Sequence, residues 1–175
     1  LDHNGMLAKA INPLNEGVFL KYDEDYNLTS IIDPAGRSYN YTYNDKGNLI
    51  HITDPLGNGT RLGYFGAFNR LTSLVDANGN LTQYGYDDQG NLESITYDDS
   101  SFERWGYDEL GQPTAWTNRR SSSIEYEYDA DGQITAKIYP DSSVDEFDYD
   151  ERGNLILAVD ANGATSFEYD AHDQL

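Results

Sequence analysis

An all-β fold of repeated antiparallel β-hairpins is predicted by three observations: a tyrosine that returns about every 21 residues, a turn sequence after each one, and no sustained helical period. The tyrosines are Tyr22, Tyr43, Tyr64, Tyr86, Tyr107, Tyr128, Tyr149 and Tyr169, separated by 21, 21, 22, 21, 21, 21 and 20 residues. Gly and Pro interrupt every window long enough to carry an amphipathic helix.

Each unit opens on a strand. Two residues before its tyrosine stands an aromatic residue or Leu (Leu20, Tyr41, Leu62, Tyr84, Trp105, Tyr126, Phe147, Phe167), so both side chains share one face of an extended chain. An Asp or Asn follows the tyrosine everywhere except at Phe65, and Gly stands four residues on at Gly47, Gly90, Gly111, Gly132 and Gly153. That pattern is a tight turn with a positive-φ exit. A second strand then starts at Leu28, Leu49, Leu92, Ile134, Leu155 and Leu175. A further turn closes the unit, as in Asp33-Pro34-Ala35-Gly36 and Asp54-Pro55-Leu56-Gly57, where Asp caps amides and Pro pre-sets φ.

The units run 1–21, 22–42, 43–63, 64–85, 86–106, 107–127, 128–148 and 149–168, with a partial unit at 169–175. They make residues 1–175 one array, expected to be an excerpt of a longer one because both ends fall inside a unit. Unit 64–85 carries Gly66-Ala67-Phe68-Asn69 in place of the usual turn and one extra residue before Leu71, which predicts a bulge or a wider loop. Unit 107–127 has Pro113 where Leu is expected and Arg119-Arg120-Ser121-Ser122-Ser123 as its exit turn, which predicts a flexible or exposed edge. Leu28 and Ile31 have opposite parity, as do Leu49 with Ile52 and Leu92 with Ile95. Either the Leu packs from the turn or a bulge restores its face. About 16 short strands cannot stay flat, so the sheet should curl or spiral. A propeller, with four strands per roughly 40 residues, is the alternative.

Composition narrows the partners. Apolar residues make up 38% while aromatics reach 13%, so burial rests on Tyr-rich rings. A formal charge of −20 disfavours nucleic acid and anionic membranes and favours cationic partners. No apolar run approaches a membrane span, and no export signal stands in residues 1–15. Without cysteine there are no disulfides, thiolate metal sites or Cys nucleophiles.

The pattern Tyr-x-Tyr-Asp-x-x-Gly-x-Leu-x-x-Ile with a trailing Asp-Pro-x-Gly resembles the YD repeat of the rearrangement hotspot (Rhs) proteins, the toxin-complex B and C components and the teneurins. The resemblance covers essentially the whole chain and departs from the pattern at Tyr26, Phe65, Phe68 and Pro113. It implies a β-strip spiralling into a hollow shell that, in bacterial members, encloses a C-terminal toxin domain for delivery. It also implies a secreted or cell-surface, bacterial location and partnership with the remainder of the shell, the enclosed toxin and secretion machinery. The family's autoproteolytic segment, Pro-x-x-x-x-Asp-Pro-x-Gly-Leu, is not matched: Asn58 follows Gly57 and Arg37 follows Gly36.

Chemistry has few footholds. Asp87-Asp88, Asp98-Asp99 and Asp129 with Asp131 are paired carboxylates, but their place in turns favours amide capping over catalysis. Asp129-Ala130-Asp131-Gly132 and Asp76-Ala77-Asn78-Gly79 resemble the start of a calcium loop, yet Pro140 stands where a twelfth-position Glu is required. His3, His51 and His172 show no metal spacing. Sequons begin at Asn27, Asn40, Asn58 and Asn80 and matter only in a eukaryotic secretory pathway. The expectation is a non-enzymatic scaffold with no catalytic, cofactor or metal residues and no cofactor. The alternative is a repeat module that binds carbohydrate, choline or a cell-surface glycan through exposed aromatics, Trp105 and Trp116 foremost.

Overall fold

The computed structural model describes residues 1, 5–66 and 69–175. Its strands are β1 (Lys9–Ile11), β2 (Gly17–Tyr22), β3 (Leu28–Ile32), β4 (Ser38–Tyr43), β5 (Leu49–Thr53), β6 (Gly59–Phe65), β7 (Arg70–Val75) and β8 (Leu81–Tyr86). They continue with β9 (Leu92–Thr96), β10 (Phe102–Tyr107), β11 (Pro113–Thr117), β12 (Ser123–Tyr128), β13 (Ile134–Ile138), β14 (Val144–Tyr149), β15 (Leu155–Asp160) and β16 (Gly163–Ser166). Strand order in this unclosed 16-stranded sheet is the order of the sequence, and the described residues contain no helix. The chain divides into two compact units, Leu1–Gln83 and Tyr84–Leu175.

Within each unit the parity conflict is resolved by a repeated bulge. Lys21 pairs with Ser30 but Tyr22 pairs with Leu28, leaving Thr29 as the extra residue. The same shift falls at Thr42/Tyr43 and Gly63/Tyr64 in the first unit and at Gly106/Tyr107, Glu127/Tyr128 and Asp148/Tyr149 in the second. Direct cross-strand partners share a face. Leu20, Tyr22, Leu28 and Ile31 therefore lie together, although Leu28 and Ile31 are three residues apart.

This tyrosine face holds most of the rings, while Phe19, Phe65 and Phe102 fall on the other. The opposite face carries smaller and more polar side chains at mid-strand: Ser30, Ser73, Ala115 and Ala136 face Asn40, Gln83, Glu125 and Glu146 across their strands. Among the described residues only Ser30 and Ala136 are buried, at 7% and 8% exposure, and they enclose no hydrophobic centre. The rings meet aliphatic partners more often than rings, as in Tyr41 with Ile52 and Phe147 with Ala158; Trp105 opposite Trp116 is an aromatic pair.

Two sequence expectations are corrected. Pro113 does not mark an edge, because β11 pairs with β10 on one side and β12 on the other. It is tolerated as the first residue of its strand, beside the bulge, where the ladder is already interrupted. The extra residue before Leu71 does not widen a loop. It adds the pair Phe65 with Arg70 beyond Tyr64 with Leu71, so the hairpin is longer, and its shift at Gly63/Tyr64 is the bulge the other hairpins also have. Ala67 and Phe68 of that turn lie outside the described residues.

Candidate functional surface

Most turns share one build; the Asp160 turn differs, since Asp160 pairs directly with Gly163. At Asp33 the Gly36 N–H donates to the Asp33 carbonyl at 2.9 Å and the Asp33 N–H to the Arg37 carbonyl at 2.9 Å, a type I turn closed by a left-handed residue. The Asp33 carboxylate accepts the amides of Ala35 and Arg37 at 2.9 Å each. Asp54 receives Leu56 and Asn58 at 2.8 Å, and Asp129 receives Asp131 and Gln133 at 2.9 Å. Asn44 and Asn118 do the same with a neutral side chain.

These bonds hold several turn carboxylates below the ordinary range. For Asp33 the main cause is the Arg37 amide, for Asp54 the Asn58 side-chain amide, and for Asp141 the Ser143 hydroxyl. One carboxylate of each pair singled out in the sequence, Asp87, Asp99 and Asp129, thus accepts amides of its own turn. Asp129 and Asp131 form no ligand cage: no group of three or more His, Asp or Glu within metal reach exists among the described residues.

The recurring tyrosine has a role that spacing alone did not reveal. Its hydroxyl donates to the carbonyl 15 residues earlier: Tyr22 to Leu7 at 3.1 Å, Tyr43 to Leu28 at 2.9 Å, Tyr107 to Leu92 at 2.8 Å, Tyr128 to Pro113 at 2.7 Å and Tyr149 to Ile134 at 3.0 Å. Leu28, Pro113 and Ile134 open bulged strands, and these acceptors lie just beyond the last ladder pair with the next strand, as Leu28 lies beyond Ser30 with Asn40. The tyrosine therefore satisfies a carbonyl the ladder has left and ties one repeat to the next. Burial pushes the phenols of Tyr43, Tyr107, Tyr128 and Tyr149 above their usual range. Side chains on the turn edge add to this: Asn69 donates to Asn48 at 2.7 Å, Gln133 to the Gly153 carbonyl at 3.1 Å and Asn154 to Asp173 at 2.9 Å.

A chain whose repeats are stitched in sequence, with tyrosine and aspartate at fixed places, matches one family. The family model described as Teneurin YD-shell covers residues 64–175, more than half the chain. This chain belongs to the Teneurin YD-shell family. The RHS Repeat model matches residues 22–60 and 43–80, so both descriptions together reach from Tyr22 to the end of the sequence given. Among solved structures, TcdB2-TccC3-Cdc42 aligns with a TM-score of 0.53 at 14% identity, covering 90% of this chain and 11% of that one. TcdB2-TccC3 aligns at 0.51 with 15% identity, over 93% and 12%. The likeness establishes the fold, and the chain spans only those small fractions of its structural neighbours. No curated protein matches it.

Other sequence candidates of this YD-shell segment fall into ordinary places. Asp54-Pro55-Leu56-Gly57 is one more capped turn. His51 sits mid-strand between Thr42 and Arg61, His172 lies 4.0 Å from Asp170 on the surface, and His3 lies outside the described residues. The amides of Asn27, Asn58 and Asn80 each donate to the Asp that opens their own turn. Trp105 and Trp116 are half-buried, and the Trp116 indole N–H is enclosed without a partner among the described residues. No described helix is long and apolar enough to cross a membrane. Arg119, read from the sequence only as part of an irregular turn, bridges two turns. It stacks on Tyr97 with its guanidinium carbon 4.1 Å from the ring centroid and bonds Asp99 and Ser101.

Proposed function

We propose that this segment is a stretch of wall in a longer, non-catalytic YD-repeat shell that encloses a C-terminal toxin domain and helps deliver it. The observation that carries this reading is the repeat-to-repeat stitching. The recurrent Tyr hydroxyls and turn carboxylates that could have done chemistry are engaged with the chain's own backbone. In this reading the array 1–175 continues into further repeats, the remainder of the shell is its principal partner, and a bacterial secreted or surface location follows. The near absence of buried side chains among the described residues supports a sheet that is covered by, or lines, something else.

The test uses the full-length protein containing this segment. Limited proteolysis should leave its C-terminal domain intact while the shell is closed, and cut it quickly once repeats are loosened by Tyr107→Phe with Tyr128→Phe. Cleavage of that domain at the rate seen for the isolated domain, with the shell intact, would refute enclosure.

A further inference from the structure

The turn Tyr139–Ser143 is a second copy of the turn that holds Arg119. In the first copy the loop closes from Tyr97 N–H to the Ser101 carbonyl at 2.9 Å, with Ser100 at φ 65°. The Tyr97 hydroxyl is fixed on Glu103 at 2.9 Å, which sets the ring plane. On that ring lies the Arg119 guanidinium, whose Nη2 reaches Asp99 and whose Nε reaches Ser101, both at 2.8 Å. The second copy repeats each part. Tyr139 N–H closes on the Ser143 carbonyl at 2.9 Å, Ser142 has φ 68°, and the Tyr139 hydroxyl is fixed on Asp145 at 2.6 Å. Ser143 bonds Asp141 through its hydroxyl at 2.6 Å, the arrangement Ser101 has with Asp99.

The cation differs, and so does the turn that would present it: Asn118 N–H closes on the Ser122 carbonyl, whereas Asp160 pairs directly with Gly163. Arg119 stands 22 residues after Tyr97, and the residue 22 after Tyr139 is Ala161. The Tyr139 face therefore borders an open recess of ≈ 440 Å³ lined by Tyr139, Pro140, Asp141 and Ser143, and Asp141 makes no ion pair among the described residues. We propose that Tyr139, Asp141 and Ser143 form a guanidinium site that receives an arginine side chain presented by a partner polypeptide. The chain itself demonstrates the mode of binding at Arg119. A planar fork stacks on the ring while two separate N–H groups reach a hydroxyl and a carboxylate, which a lysine ammonium cannot do from one atom. The surrounding charge favours such a partner, because 22 of the 31 acidic residues but only five of the 11 Lys and Arg follow residue 83.

Two-dimensional ¹⁵N–¹H spectra of the 175-residue chain, titrated at low salt with N-acetyl-arginine amide, N-acetyl-lysine amide and free arginine, test this. Capped arginine should give saturable shifts at the Asp141, Ser142 and Ser143 amides, with capped lysine several-fold weaker. Free arginine, whose α-ammonium and α-carboxylate leave the same net charge, should bind no more tightly than the capped form. Asp141→Asn should remove the saturation. Ala161→Arg should close the site from within, abolishing the shifts and raising Tm, while Arg119→Ala should open a second site reported by Asp99 and Ser101. Shifts absent at 141–143, equal for lysine, or surviving Ala161→Arg would overturn the proposal. Free arginine binding more tightly than the capped form would overturn the polypeptide source.

Discussion

At the scale of a residue, the tyrosine hydroxyl and the turn residue in the left-handed region are where single changes are most informative. A neutral hydrogen bond of the Tyr128 kind contributes about 1 kcal/mol. Tyr128→Phe, which keeps the ring and loses only the bond to the Pro113 carbonyl, should lower stability by about that amount in urea unfolding. Tyr64 has no such bond to Leu49 among the described residues, so Tyr64→Phe is the internal control and should be close to neutral. Tyr26 holds φ 66° where the equivalent position of the next turn has Gly47 at 78°. Tyr26→Gly should stabilise the chain by about 1 kcal/mol, the left-handed penalty less the entropy glycine adds to the unfolded state. A loss of stability would show that the half-exposed Tyr26 ring makes packing contacts that outweigh its backbone strain. The ring positions were legible in the sequence from their period. The hydroxyl's partner was not, because a carbonyl 15 residues away becomes available only once the bulge has ended the ladder there.

At the scale of an element, the capped turns and the bonded phenols define a pH window. Asp33, Asp54, Asp76, Asp99, Asp141, Asp150 and Asp160 have folded-state values below their unfolded ones. The stability they contribute is therefore present above the unfolded carboxylate range and is lost as pH falls through the depressed values, below about 4. The phenols of Tyr43, Tyr107, Tyr128 and Tyr149 are raised, so their contribution is full below about 10 and disappears as pH climbs through the folded values. Thermal melts from pH 2 to 12 should show a plateau between two losses. Asp54→Asn, which keeps the capping oxygen as Asn44 and Asn118 do, should leave Tm at pH 7 nearly unchanged, whereas Asp54→Ala should lower it. Turn chemistry was the most readable part of the sequence, since Asp, Pro and Gly each have one physical reason to be where they stand. The strand role of Pro113 was harder to read, because an interruption in the neighbouring ladder is a property of pairing and is invisible in the strand's own residues.

At the scale of the whole molecule, charge is distributed unevenly. Residues after 83 hold 22 acidic side chains against five basic ones, and Glu127 and Glu146 both pair with the buried Ala136 on one face. Self-repulsion of that density is relieved by screening. Amide exchange in residues 84–175 should slow measurably when NaCl is raised from about 0.01 to about 0.15 M, with less change in residues 1–83. Equal responses in the two regions would show that local pairing outweighs net charge. The sequence announced the acidity and the repeat. It did not announce that one turn's cation was absent, since Arg119 and Ala161 acquire meaning only when the two turns are superposed on the same geometry.

The 15-residue reach of the tyrosine also bears on how such a chain could change length. Excising residues 107–127 as a block would splice Gly106 to Tyr128, whose phenol would then find the Leu92 oxygen that Tyr107 had used, while the strand parity on either side of the splice stayed intact. Cutting out 10 or 11 residues would instead remove one strand of a hairpin and leave the phenol and the carbonyl without each other. Growth and shrinkage by duplication or deletion are therefore quantised, and whole repeats are the unit in which this lineage could lengthen or shorten without refolding the rest.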